Sequence, residues 1–337
     1  MNSKKTNNLI SVENAQEIIF SKFKKLETIK KKLIDSSGFI LEKEIKALFD
    51  LPNKNNSAMD GFAVRHEDLE PNKSLKVVGR VGAEAITDYV LKKDEALRIM
   101  TGSGIPEGAD SVVQFEKTNN NPHKGNDFPD SVIINETVKK GDNIRLSGQD
   151  YKFGETVVKG GMLIDPPIVG AIASFGINEV SVIRKPLVSV ISTGNELVMP
   201  GDKLKEGQIY DSNSFAISAA IKNSGADFKM HRILSDNKED VDKLYEDCSQ
   251  SDLIVTIGGV SKGDFDLIRD AISSKGSIDF WGINMKPGKP LAFGQVKIKG
   301  KNLFHIGLPG NPVSSYVCFE LFIRPVLLKM QGIKNIH

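Results

Sequence analysis

Apolar positions along this chain change their period twice. Between residues 12 and 34, Ile19, Phe23, Leu26, Ile29 and Leu33 recur at helical spacing. That spacing predicts one amphipathic helix, with Ser11 as its N-cap and the lysines at 22, 24, 25, 30, 31 and 32 as its solvated face. From about 53 to 142 the runs are short and β-rich, at 75–78, 97–100, 111–115 and 132–134, and Gly, Pro, Asn and Asp separate them. The segment 117–130, which opens on loop formers and carries two prolines, reads as a surface loop. Pro166-Pro167 opens a helix that ends near Phe175-Gly176, and a strand is expected over 179–183. From Lys185 the rhythm becomes strand, loop, helix. Strands are expected at 187–192, 227–233, 252–257, 290–296 and 302–307, and helices at 212–223, 237–249, 265–273 and 312–330. Such alternation predicts a mainly parallel sheet with helices on both faces.

Length and charge narrow the class. A chain of 337 residues has room for two or three domains. Its 45 basic and 43 acidic residues nearly cancel, which argues against a nucleic-acid coat or a general polyanion binder. Two cysteines, Cys248 and Cys318, exclude a disulfide framework and a Cys-rich metal site, and lone thiols fit a reducing cytoplasm. The polar N-terminus has no apolar core behind it, so no secretory signal is expected. No run of about 18 apolar residues predicts a membrane span.

Ligands of an open parallel sheet bind at the C-terminal strand ends. Three segments fall there: Ser192–Glu196, Gly258–Asp266 and Gly307–Ser314. The second is Gly-rich and stands between a strand and a helix, where backbone N–H groups can approach an anion. It has neither the Walker A Gly-Lys-Ser/Thr nor the dinucleotide glycine spacing, so a phosphate site and an ordinary tight turn both stay open. Glu196, Asp264 and Asp266 lie in these loops, and Asp236 follows strand 227–233. Acids beside a phosphate site call for a divalent cation, and Mg²⁺ suits carboxylate and phosphate oxygens. Each acid alone could instead cap a helix, and for Asp264 the cap is the better reading. In Met285-Lys286-Pro287-Gly288-Lys289-Pro290, two lysines are held between prolines, either as a cradle for an oxyanion or as an exposed basic turn. The five histidines show no metal spacing, and no Ser-His-Asp or Cys-His arrangement presents a nucleophile.

Seven segments in order resemble the successive signatures of the molybdopterin molybdenumtransferase family, the MoeA-type molybdenum-insertion enzymes related to the gephyrin E domain. They are NSAMDGFAVR at 56–65, RIMTGSGIPEGAD at 98–110, TGNEL at 193–197, GQIYDSN at 207–213, GGVSKGDFD at 258–266, MKPGKP at 285–290 and LPGNPVS at 308–314. The resemblance implies an elongated helical/β stalk with an inserted small β domain, followed by a three-layer α/β domain with a mainly parallel sheet. The regions would be 1–52 with 143–183, 53–142, 184–330, and a tail at 331–337. It implies Mg²⁺-dependent insertion of molybdate into adenylylated molybdopterin with release of AMP, and a molybdopterin adenylyltransferase as upstream supplier. Asp60, Thr101, Asp150, Glu196, Asp236 and Asp266 match the family's catalytic positions, the last three as metal ligands. Thr193, Gly194, Asp211, Ser212, Asn213, Gly258, Gly259, Ser261, Gly263, Lys286, Lys289, Pro309, Gly310, Asn311, Pro312 and Ser314 match its substrate lining. In that family Asp60 and Thr101 come from the partner subunit's face of the cleft, which implies a homodimer.

The chain departs from the pattern at Asn53-Lys54-Asn55, where a Pro-Phe-Asp-like run is usual, and at Gln149, where Glu is usual. Lys262 adds bulk and charge to the Gly-rich loop. The family usually continues with a small C-terminal β-domain, which is not expected in this sequence. Two alternatives stand beside the leading expectation. One is an adenylyltransferase-like enzyme, which would lack the motifs around Asp60 and Thr101. The other is a catalytically weakened molybdopterin-binding scaffold.

Overall fold

The computed structural model describes residues 9–82, 88–120, 129–194, 196–232, 238–258 and 276–334. The chain divides into two compact units, Met1–Lys43 with Lys159–His337, and Glu44–Val158.

The first unit opens with helix α1, Val12–Lys22, capped by the Ser11 hydroxyl, which accepts from the Asn14 N–H at 3.1 Å. The helix ends there and does not continue to residue 34. Thr28–Lys32 is a strand instead, paired antiparallel with Glu179–Ile183, which in turn pairs with Ile40–Leu41. The reason is a nonlocal ladder: within Thr28–Lys32 only Ile29 and Lys31 are part-covered, an alternation of period two. Helix α2, Pro166–Ala173, starts behind the Asp165 cap as the proline pair predicts.

The centre of this unit is a six-stranded sheet. Its strands are β1 (Leu187–Ser192), β2 (Asp227–Arg232), β3 (Leu253–Ile257), β4 (Gly276–Trp281), β5 (Ala292–Ile298) and β6 (Lys301–Leu308). Their spatial order is β2-β1-β3-β6-β5-β4. The first four run parallel, while β5 pairs antiparallel with both β6 and β4. Strand β4 was not expected, and β5 lies about two residues later than the predicted 290–296. Helices α3 (Ser212–Asn223), α4 (Lys238–Asp247), α5 (Pro312–Cys318) and α6 (Arg324–Met330) complete the layers. The helix expected over 265–273 lies outside the described residues.

One apolar layer joins α1, α3, α5 and α6 to Val188, Val190, Val255, Ile306 and Leu308. The opposite face packs Leu244, Tyr245 and Cys248 against Ile191, Ile254 and Leu303. Between α5 and α6 the helix passes through a π turn, Phe319–Ile323, just before Pro325. Pro325 has no N–H for the carbonyl four residues earlier. That carbonyl, Leu321, accepts instead from the Gln16 amide of α1 at 3.1 Å. At the N-terminal ends of the strands, Arg184 donates two N–H groups to the Asp252 carboxylate at 2.6 and 2.8 Å. It also reaches Glu27, and Asp252 accepts from the Leu187 N–H at 2.9 Å. The bonds to Asp252 raise the Arg184 pKa above its ordinary value.

The second unit is a five-stranded sheet in the order Ser111–Gln114, Gly61–Val64, Glu95–Ile99, Ser74–Val81, Ser131–Ile133. Phe62, Val64, Leu75, Val113 and Val132 fill one side, and Ala63, Leu97, Ile99 and Val112 the other. Gly61 is required where it stands: a Cβ there would lie 2.0 Å from the Val113 carbonyl oxygen. Of the expected loop at 117–130, residues 121–128 lie outside the described set. Among the described residues, no helix is long and apolar enough to cross a membrane.

Candidate active site

Strands β1, β3 and β6 are parallel neighbours, so their C-terminal ends share one edge of the sheet. The described residues that follow them meet there. Thr193, Glu196, Asp211, Ser212, Asn213, Gly258, Gly310 and Pro312 line a single cleft of about 140 Å³. The parts are tied together by the backbone. Gly258 donates its N–H to Leu308 at 3.2 Å, and the Ile209 N–H donates to the Glu196 carbonyl at 2.9 Å. The Asn213 amide donates to the Gly310 carbonyl at 2.7 Å, joining the start of α3 to the loop before α5. Asp211 is buried and accepts from the Ser214 N–H and hydroxyl at 3.0 and 2.6 Å, so its carboxylate is committed to capping α3. Asn311 does the same for α5, accepting from Ser314 N–H at 3.1 Å. Pro309 is buried at the start of that loop.

Glu196 is different. Its side chain is exposed and has no hydrogen-bond partner among the described residues. Beneath it stands Gly194, with φ +138°, where a Cβ would lie 2.6 Å from both carboxylate oxygens. Gly258, with φ +86°, is also close-set, since a Cβ there would lie 3.0 Å from the Thr193 carbonyl oxygen. The glycines let two loops approach within contact distance of one another.

The Lys286–Lys289 turn reaches the same edge by way of the antiparallel strands. Trp281 of β4 and Ala292 of β5 are register partners, and Ala292 faces Gly307 near the end of β6. The turn between β4 and β5 therefore stands at the C-terminal end of β6. Asp236, Gly259, Ser261, Gly263 and Asp266 lie outside the described residues.

In the second unit, Asp60 and Thr101 meet. One Asp60 oxygen accepts from both the Thr101 N–H, at 2.7 Å, and its hydroxyl, at 2.9 Å. Asp150 pairs with Arg145. The residues missed by sequence reasoning are Leu197, Ile209, Tyr210 and Ile257, which also line the cleft. Ile209 and Tyr210 are 56% and 44% exposed, an apolar rim beside Asp211. Their signal was their place within GQIYDSN, where the polar residues drew attention first.

Two family models match the chain: MoeA N-terminal region (domain I and II) over residues 10–176, and probable molybdopterin binding domain over 189–329. The molybdopterin molybdenumtransferase of Haemophilus influenzae is 37% identical over 304 residues, covering 90% of this chain and 73% of that protein. The enzyme of the same name from Staphylococcus epidermidis is 36% identical over 334 residues, covering 96% and 77%. The chain belongs to the molybdopterin molybdenumtransferase family.

A crystal structure of a molybdopterin biosynthesis MoeA protein from Pyrococcus horikoshii has a TM-score of 0.75 at 33% identity, covering 97% of this chain and 81% of that one. A second from the same organism has a TM-score of 0.76 at 27% identity, covering 98% and 81%. Membership of the molybdopterin molybdenumtransferases makes the chain a transferase of molybdenum cofactor biosynthesis. The α/β fold with its molybdopterin-binding domain is as expected from the motifs.

The cleft's described donors suit a hard cation. They are the carboxylates of Glu196 and the cap residue Asp211, the Asn213 amide, hydroxyls and backbone oxygens, with no sulfur or imidazole among the lining residues. No group of three His, Cys, Asp or Glu that could hold a metal occurs among the described residues. Of the three expected metal ligands, only Glu196 is among those residues.

Proposed function

We propose that this enzyme inserts molybdate into adenylylated molybdopterin and releases AMP, in a Mg²⁺-dependent reaction. The observation that supports it is the strand-end edge: a cleft with a free carboxylate and close-set glycines, and a basic turn on the same edge of the sheet. In this reading the Gly258–Gly263 loop cradles the pyrophosphate with backbone N–H groups. Lys286 and Lys289 hold the molybdate as charge-assisted donors. Thr193, Ser212, Asn213 and the 309–314 loop orient the pterin side. Glu196, Asp236 and Asp266 would hold Mg²⁺, which when bound neutralises phosphate charge and stabilises the departing AMP. Asp60, Thr101 and Asp150 are assigned to the same reaction, with Asp60 and Thr101 supplied by the second copy of a homodimer. The three-region division, with 1–52 joined to 143–183, is part of the same proposal. The substrate would come from a separate adenylyltransferase. The compartment would be the cytoplasm, in keeping with two buried thiols that form no disulfide.

The test is AMP release from adenylylated molybdopterin by the purified protein. Release that requires both molybdate and Mg²⁺ supports the proposal. Retention of the ligand without AMP release would make the chain a scaffold. Formation of adenylylated molybdopterin from ATP would make it an adenylyltransferase.

A further inference from the structure

The turn that carries Lys286 and Lys289 is fixed from three sides. At its base, the Lys289 carbonyl accepts from the Ile283 N–H at 2.8 Å and the Leu291 N–H at 3.2 Å. From the N-terminal segment, the Ile10 carbonyl accepts from the Asn284 N–H at 2.8 Å. From below, Gly288 rests on Cys318. Gly288 is buried with φ +101°, and a Cβ there would lie 2.8 Å from the Cys318 Sγ and 2.8 Å from the Met285 Cε. The Cys318 thiol donates to the Gly288 carbonyl at 3.7 Å. Both lysine side chains are exposed, and neither has an ion-pair partner among the described residues.

Cys318 is the last residue of α5, whose first turn begins in the loop that lines the cleft. One short helix thus supports both the 309–312 loop and the lysine turn. Burial pushes the Cys318 thiol up to about 12, so it stays protonated and keeps its donor role. Cys318 is fully buried in the main apolar layer. An extra methyl group at this position meets a close-packed interior on the helix side. The yielding partner is the turn, which is exposed on either side of the buried Gly288.

We propose that Cys318 is a positioning residue for oxyanion binding: its small side chain, seated against Gly288, sets where Lys286 and Lys289 stand at the strand-end edge. This rests on the assignment of those lysines to molybdate. A misplacement of about 1 Å in a substrate-positioning group can cost on the order of 100-fold in rate. Cys318→Val lifts the turn, whereas Cys318→Ser keeps a small side chain with a donor toward the Gly288 carbonyl.

The experiment measures two things on wild type and both variants. The first is retention of inorganic molybdate by equilibrium dialysis without pterin. The second is the steady-state rate of AMP release. Expected for Cys318→Val is a rise of about tenfold or more in the molybdate Kd and KM, with the KM for adenylylated molybdopterin within about threefold of wild type. Expected for Cys318→Ser is a molybdate Kd within about threefold of wild type. A Cys318→Val protein that is folded and binds molybdate like wild type overturns the inference. So does an equal rise in both KM values, which marks a general structural role. Wild type that retains no molybdate overturns it too. Wild type that retains molybdate but releases no AMP overturns the proposed function and leaves the seat to be judged by dialysis alone.

Discussion

Gly194→Ala tests how closely the cleft depends on one carboxylate. The new Cβ would lie 2.6 Å from both Glu196 carboxylate oxygens, against 3.4 Å for the nearer edge of ordinary contact, so the carboxylate retreats by about 0.8 Å. The side chain is exposed and flexible, and the fold absorbs that movement. The backbone does not relax as freely: φ +138° is a conformation kept for glycine, and another residue there costs about 1–3 kcal/mol. At about 2–4 °C per kcal/mol for a unit of this size, Tm falls by several degrees while the protein stays folded at 25 °C. Activity falls further, because a carboxylate displaced by nearly 1 Å loses up to about 100-fold in rate. The assay is AMP release as a function of Mg²⁺, beside a thermal melt. The expected result is a higher Mg²⁺ requirement and a lower kcat, approaching those of Glu196→Gln. A Gly194→Ala enzyme with the wild-type rate and Mg²⁺ dependence would refute Glu196 as a metal-side ligand.

Three further predictions follow from other parts of the molecule. Arg184→Met leaves Asp252, whose side chain is 8% exposed, without its charge partner, and urea unfolding should show a loss of about 3–5 kcal/mol with unchanged KM, since the clamp lies at the opposite strand ends. His305 is buried neutral with its pKa pushed down to about 3 by burial, while in the unfolded chain it titrates near 6.5, so the unfolded state gains the proton first. Stability therefore falls as pH drops below about 6.5. Relative to His305→Gln, wild type should lose about 2 kcal/mol between pH 7 and 5, and parallel pH curves would contradict this. Asp266→Ala should abolish AMP release with a stability change of about 0.5 kcal/mol, and a collapse of the fold would make Asp266 structural.

The elements legible in the sequence were those whose pattern is local. Helix α3, strand β1 and the strand Glu179–Ile183 follow the expected boundaries, because their apolar spacing and flanking breakers decide them. The misread segments depend on distant partners. Thr28–Lys32 extends the apolar spacing of α1, but its ladder partner lies about 150 residues away at Glu179–Ile183. Strand β4 carries alternating apolar residues only weakly, and it exists because β5 offers an edge. The cleft was legible as three strand-end loops, since parallel topology brings such loops together whatever their sequence. The support beneath them was not. That Asp211 is spent on a cap depends on its side-chain rotamer, and that Gly288 packs on Cys318 is a matter of contact between segments 30 residues apart.

The most direct test of the central claim is the stoichiometry of a single turnover. Protein, adenylylated molybdopterin, Mg²⁺ and molybdate are mixed, and AMP and the molybdenum content of the pterin product are quantified together. The two are expected in equal amounts, and both are expected to vanish without molybdate. AMP formed without molybdenum in the pterin would contradict it.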